Sequence, residues 1–305
     1  MVYSPRTNPG RFAIVATVLG LVGALGFGTT AAFAARTVHH PTATSSKRYY
    51  VSLGDSYSIG YEPGPSATRH GYADQTVTKA ARRGYRLQLV NFGCGGATTT
   101  SILQATTCPL PAVSGPSYGG FTQAVAAESF LRAHTGQIAL VTVSIGGNDV
   151  TMCAHDPNPI TCVTQATAAI KANVGQLATE LRAAVGPNVP IVGLTYPDVV
   201  LGEWVLGPGD QNLARLSVTA FQALINPALK QSYAVAGARF VDVTTATGAY
   251  IPLARTTKLK PYGVIPVAVA RVCTLTYYCE AGDIHANTSG YGVIADLIVA
   301  TLPRV

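Results

Sequence analysis

Five short apolar runs punctuate the chain, at residues 49–53, 86–91, 138–144, 189–195 and 238–243. They are short, rich in β-branched residues or leucine, and largely apolar. That is the pattern of parallel strands buried on both faces. Between and after them, longer stretches predict helices near 71–82, 120–133, 161–184 and 212–234, with a last one over 289–301. In the last, Val293, Ile294, Leu297, Ile298 and Thr301 recur at helical spacing and form a core-facing stripe. Alternation over five units predicts an α/β fold, a three-layer α/β/α sandwich around a five-stranded, mostly parallel sheet. No internal repeat and no second domain is evident. Two stretches break the alternation: 107–119, rich in Pro, Gly and Ser, and 248–282, with Pro252, Pro261, Pro266 and several tyrosines. A connection as long as the second usually covers or lines a site. Its Tyr250, Tyr262, Tyr277 and Tyr278 are candidates either for lining an acyl or sugar pocket or for simple packing.

Composition adds a compartment. Of 305 residues, 48% are hydrophobic and 11% charged, and part of the apolar excess lies in residues 1–35. There Arg6 and Arg11 precede an apolar stretch from Phe12 to Phe27, and Ala32-Phe33-Ala34 offers a small-x-small cleavage site. The stretch is also long enough for a bilayer anchor. Thr29, Thr30 and four glycines weaken it as a helix, so a cleaved signal peptide is the favoured expectation. Residues 36–47 read as a polar linker and 48–305 as one domain, secreted or associated with a cell envelope. The formal charge is +7, of which Arg6 and Arg11 contribute two, leaving +5 without clusters interleaved with aromatics. Nucleic-acid binding is excluded on that pattern. All six cysteines follow the signal-like segment, and an even number in an exported chain predicts disulfides. Pairing of sequence neighbours, Cys94–Cys108, Cys153–Cys162 and Cys273–Cys279, closes short loops and is the expected connectivity. Cys153-x-His155 is a weak zinc motif without any CxxC partner, so no metal is expected.

Four polar loops, each after a predicted strand or before a predicted helix, hold the candidate chemistry. They are Gly54-Asp55-Ser56-Tyr57, Gly93-Cys94-Gly95-Gly96, Gly146-Gly147-Asn148-Asp149 and Gly282-Asp283-Ile284-His285. A parallel sheet gathers such loops at one edge. Taken singly, each reads as a turn, and Asp55 and Asp149 read as loop-bracing hydrogen-bonders; taken in order, the set points to catalysis. The set resembles the GDSL, or SGNH, hydrolase family, and in particular exported actinobacterial esterases and lipases with three disulfides. The likeness covers nearly all of residues 49–305, and its four marker residues fall on Ser56, Gly96, Asn148 and His285. It implies a flavodoxin-like three-layer fold and hydrolysis of carboxylic esters or thioesters without a cofactor. It further implies an oxyanion hole built from the Ser56 N–H, the Gly96 N–H and the Asn148 side-chain amide.

Each marker suits its role physically. A serine hydroxyl is a weak nucleophile until a base takes its proton, and His285 is such a base near neutral pH. Gly96, having no side chain, lets its N–H come close to a substrate. One departure concerns the acid. The resemblance implies Asp-x-x-His, but Gly282 stands three residues before His285 and Asp283 two before it. Either Asp283 orients the imidazole or a backbone carbonyl replaces it. Gly115-Pro116-Ser117-Tyr118-Gly119 also matches the G-x-S-x-G string, but no strand precedes it, so Ser117 is rejected as nucleophile. The leading expectation is a monomeric serine esterase or lipase acting on small-molecule or lipid esters. The alternatives are a polysaccharide O-deacetylase with the same residues, or an envelope-binding protein that has lost the reaction.

Overall fold

A computed structural model describes residues 48–303; the expected signal peptide (1–35) and linker (36–47) lie outside the described residues. Five strands form one wholly parallel sheet: β1 (Arg48–Gly54), β2 (Leu87–Asn91), β3 (Ile138–Ser144), β4 (Ile191–Leu194) and β5 (Arg239–Val241). Their spatial order is β2-β1-β3-β4-β5. All seven residues of the central β3 are buried, which is why its sequence is apolar without alternation. Where a polar side chain does enter the sheet it is paired, as with Tyr50 Oη and Thr142 Oγ1 at 2.9 Å.

Helices α1 (Tyr72–Ala81) and α11 (Thr288–Thr301) pack together as one layer, while α3 (Gln123–Ala133), α5 (Pro159–Val185) and α7 (Asn226–Ala234) build the other. Right-handed crossovers put α1 and α3 on opposite faces, because the chain leaves β1 for one edge and crosses back for β3. Local chemistry sets several helix starts. Thr122 caps α3 by accepting from the Val125 N–H, and Asn287 caps α11 by accepting from that of Gly290.

The helix expected over 212–234 is continuous but not uniform. It runs as α6 (Gln211–Ala220), a π-helical turn (Phe221–Ile225) and α7. Pro227 has no N–H and its ring crowds the preceding turn, so the wider π turn relieves the helix there. The stretch 248–282 differs from the irregular connection that its prolines suggest. It contains a hairpin of β6 (Thr256–Leu259) and β7 (Gly263–Pro266), then α9 (Val267–Leu275) and α10 (Tyr278–Ala281). These close over a small second apolar cluster that includes Leu201, Ala214, Ile265 and Val269. The β-branched residues of α9 hide its helical character in the sequence.

Short elements complete the chain: α2 (Ser101–Gln104), α4 (Gly147–Thr151), α8 (Val243–Ala246) and 3₁₀ turns at Met152–His155 and Val199–Val205. The disulfides are Cys94–Cys108, Cys153–Cys162 and Cys273–Cys279, as the pairing of neighbours predicts.

Candidate active site

The strand order 2-1-3-4-5 reverses direction between β1 and β3, and parallel sheets gather ligand sites at the carboxyl ends beside such a reversal. Ser56 lies two residues past β1. Gly54, at the end of that strand, has φ +135°, and a Cβ there would lie 2.0 Å from the Ser144 carbonyl oxygen. Only glycine lets β1 end so close to β3. Both polar backbone atoms of Gly54 are held by one buried side chain, Gln123. Its Oε1 accepts from the Gly54 N–H at 2.7 Å and its Nε2 donates to the Gly54 carbonyl at 3.1 Å. Asp55 is buried too, and its carboxyl accepts from the Tyr57 N–H (3.0 Å) and the Tyr196 hydroxyl (2.5 Å). Burial raises the Asp55 carboxyl to about 7 against the pull of those two bonds. Asp55 therefore braces the turn that presents Ser56.

The loop from α10 to α11 brings His285 to the same place. His285 Nε2 lies 2.7 Å from Ser56 Oγ, across 229 positions of sequence, and His285 Nδ1 lies 2.7 Å from Asp283 Oδ1. An ionised carboxyl only accepts, so Nδ1 carries the proton and Nε2 is left to accept from the serine hydroxyl. Asp283 Oδ1 also accepts from the His285 backbone N–H at 2.9 Å, closing an Asx-turn. That turn is how Asp-x-His spacing reaches the imidazole: the side chain folds forward over one intervening residue. Gly282, with φ +66°, ends α10 and aims the turn. The segment is fixed from three sides. The Tyr57 hydroxyl donates to the Ile284 carbonyl (2.7 Å), the Tyr277 N–H to that of His285 (3.0 Å), and the Asn287 N–H to that of Leu275 (3.0 Å). The Tyr61 ring lies over the imidazole with centroids 4.2 Å apart. Burial lowers the His285 pKa from its ordinary 6.5, and Asp283 opposes that shift without overcoming it.

Gly96 sits in the loop after β2, where φ is +78° and the space a Cβ would enter is open. The Cys94 N–H donates to the Gly54 carbonyl (2.9 Å), which holds this loop against the Ser56 turn. Asn148, in the first turn of α4, donates one amide hydrogen to the Ala97 carbonyl at 2.8 Å and keeps the other. Asp149 accepts from Thr99 Oγ1 (2.5 Å) and the Thr99 N–H (3.0 Å), so it fastens the loops of Gly96 and Asn148 together. Among the described residues, neither the Ser56 nor the Gly96 backbone N–H has a protein acceptor. Both N–H groups are thus free to donate to a bound molecule, that of Gly96 from an exposed residue.

Beside Ser56 opens a cavity of about 280 Å³, lined among others by Asn148, Tyr196 and Ile284. Ser117, by contrast, lies in irregular chain between α2 and α3, and its hydroxyl accepts only from the Gly119 N–H. Of the four tyrosines in the long stretch, Tyr278 lines the cavity. Tyr250 and Tyr262 make packing bonds, to Asn226 and to the Cys279 carbonyl. Tyr196 and Gln123, which hold the nucleophile turn, are invisible in the sequence because each acts on a residue far away in the chain.

A doubly wound parallel sheet with serine, histidine and aspartate in hydrogen-bonded series at its switch point defines a serine-hydrolase architecture. The chain belongs to the GDSL-like Lipase/Acylhydrolase family, whose profile matches residues 52–293. Comparison with curated protein sequences finds no match. Among solved structures, the chain is similar to phospholipase A1 from Streptomyces albidoflavus, at 20% identity and a TM-score of 0.48 over 83% of this chain and 98% of that one. It is also similar to an extracellular lipase from Streptomyces rimosus, at 19% identity and 0.44 over 75% and 100%. A carbohydrate acetylesterase family member from Sinorhizobium meliloti aligns at 12% identity and 0.44 over 83% and 96%.

Proposed function

We propose that the chain is an exported serine hydrolase that cleaves carboxylic esters through an acyl-enzyme on Ser56. The observation that carries this reading is the series Asp283–His285–Ser56, with 2.7 Å at each side-chain contact. As Ser56 Oγ bonds to the ester carbonyl carbon, His285 Nε2 takes its proton, and Asp283 stabilises the imidazolium that results. The carbonyl oxygen becomes an oxyanion facing the N–H groups of Ser56 and Gly96 and the free amide hydrogen of Asn148. One such donor is worth roughly 3–4 kcal/mol of barrier. The C–O bond then breaks, the leaving alcohol takes the proton from Nε2, and water, deprotonated by His285, releases the acid.

No step in this scheme uses a cofactor. The burial that lowers the His285 pKa keeps the base neutral, and so competent, at neutral pH. Export is supported by the signal-like pattern of residues 1–35 and by three disulfides, which persist in oxidising compartments. Purified protein is expected to hydrolyse p-nitrophenyl esters and to be labelled by a fluorophosphonate, and Ser56→Ala to lose both. Turnover by Ser56→Ala equal to the wild type would overturn the reading.

A further inference from the structure

Away from the Ser56 turn and the Tyr278–Ile284 segment, the cavity beside Ser56 is bounded by four further parts of the chain. These are the α4 turn with its following 3₁₀ segment, the start of α5, the 3₁₀ turn after β4, and α6 with its π turn. Its walls come from side chains such as Val150, Val163, Val200, Leu216, Phe221 and Ile225. Apart from tyrosines, the ionisable groups among its lining are Asp55 and His155, and the Asp55 carboxyl is already engaged by Tyr57 and Tyr196.

Beyond Ser56, Asn148 and the exposed His155, the polar side chains of the lining are already engaged elsewhere. Thr151 donates to the Gly147 carbonyl, Ser217 to Asp198, and the Tyr278 hydroxyl to Glu203. A sugar placed here would lose its hydrogen bonds to water and find few replacements, which is costly. An alkyl chain loses none. At the solvent end stand Met152, 79% exposed, and Ile160, 39% exposed, the first adjoining Cys153 and the second two residues before its disulfide partner Cys162. Apolar residues thus extend from open solvent to the nucleophile.

We propose that this cavity receives the acyl chain of the ester, and that the preferred substrates carry an aliphatic acyl group of medium length. The inference rests on the ester-hydrolase reading and narrows it. A methylene occupies about the room of a water molecule, roughly 30 Å³, so 280 Å³ holds on the order of nine carbons. An acetyl group would leave most of it unfilled. Each CH₂ moved from water into the cavity contributes about a fourfold gain in kcat/KM until the cavity is full.

The test uses p-nitrophenyl esters from acetate to dodecanoate, below their aggregation limits, with wild type, Ala220→Phe and Leu216→Trp. Ala220 is buried at the end of α6 and borders the cavity, and half-buried Leu216 tolerates a larger ring if Ala220→Phe fails to fold. Wild-type kcat/KM is expected to climb to a maximum near eight to ten carbons. The filled variants are expected to lose at least tenfold on decanoate relative to their own rate on acetate, while keeping fluorophosphonate labelling. A maximum at acetate or butyrate, or equal losses on all chain lengths in labelled variants, overturns the inference and leaves the hydrolase reading standing. Absence of both hydrolysis and labelling in the wild type overturns the hydrolase reading and the inference with it.

Discussion

Asp283 serves His285 twice, through the ring nitrogen and through the backbone N–H. Replacing it with Asn keeps the turn's acceptor but removes the charge and permits the wrong imidazole tautomer. Asp283→Asn is therefore expected to lower kcat by roughly 10³–10⁴-fold. The pH profile gives a second reading. Burial lowers the His285 pKa and Asp283 partly restores it, so the acid limb of kcat/KM in the wild type falls below pH 6.5. In the Asn variant the restoring partner is gone, and the limb moves to still lower pH. Activity within a few-fold of wild type, with an unmoved limb, would remove Asp283 from the mechanism. Ser56, Gly96, Asn148 and His285 were legible in the sequence because each sits in a short polar motif beside an apolar run. Asp283 stands there as one of two ways to orient the imidazole, because its spacing reaches the ring only through a turn whose dihedrals no composition reveals. Tyr196 and Gln123 left no signal at all, since a tyrosine and a glutamine that reach Asp55 and Gly54 across 141 and 69 positions look like any others.

Among the elements, the end of β1 sets the tightest tolerance. Gly54→Ala would force a side chain into φ +135° and bring its Cβ to 2.0 Å from backbone that cannot yield without parting β1 from β3. A loss of at least about 3 kcal/mol is expected in denaturant unfolding; an unchanged midpoint would show that the strand end shifts freely. Each disulfide also lies beside a loop of the site. Cys94 is two residues before Gly96, Cys153 follows the helix that carries Asn148 in its first turn, and Cys279 precedes Asp283. The five strands and the long helices were legible because burial on both faces writes a short apolar run and burial on one stripe writes a helical period. The hairpin and α9 were not. Pro261 and Pro266 read as breakers, and the β-branched residues of α9 give no helical propensity; what makes them ordered is their shared packing with Leu201 and Ala214.

At the scale of the whole molecule, pH acts through buried acids. Asp198 is fully buried, with Oδ2 held by Ser217 and Oδ1 unpartnered among the described residues. Burial raises its carboxyl from 3.8 to about 7. Between those values the unfolded chain has released the proton and the folded chain retains it. This contribution to stability is thus full below about pH 4 and lost as pH rises through 7. Asp198→Asn cannot ionise, so its Tm relative to wild type is expected to rise by a few degrees between pH 4 and pH 8. A difference that stays constant with pH would show that Asp198 does not titrate in the folded state. The hydrogen bond between Ser56 and His285 has a consequence for how the protein is made. A ribosome delivers Ser56 among the first residues of the domain and His285 among the last, after all five strands. In the proposed roles, an unfinished or truncated chain carries a hydroxyl with no base to activate it. Hydrolytic power is withheld until α11, the last helix, can dock and bring the histidine home.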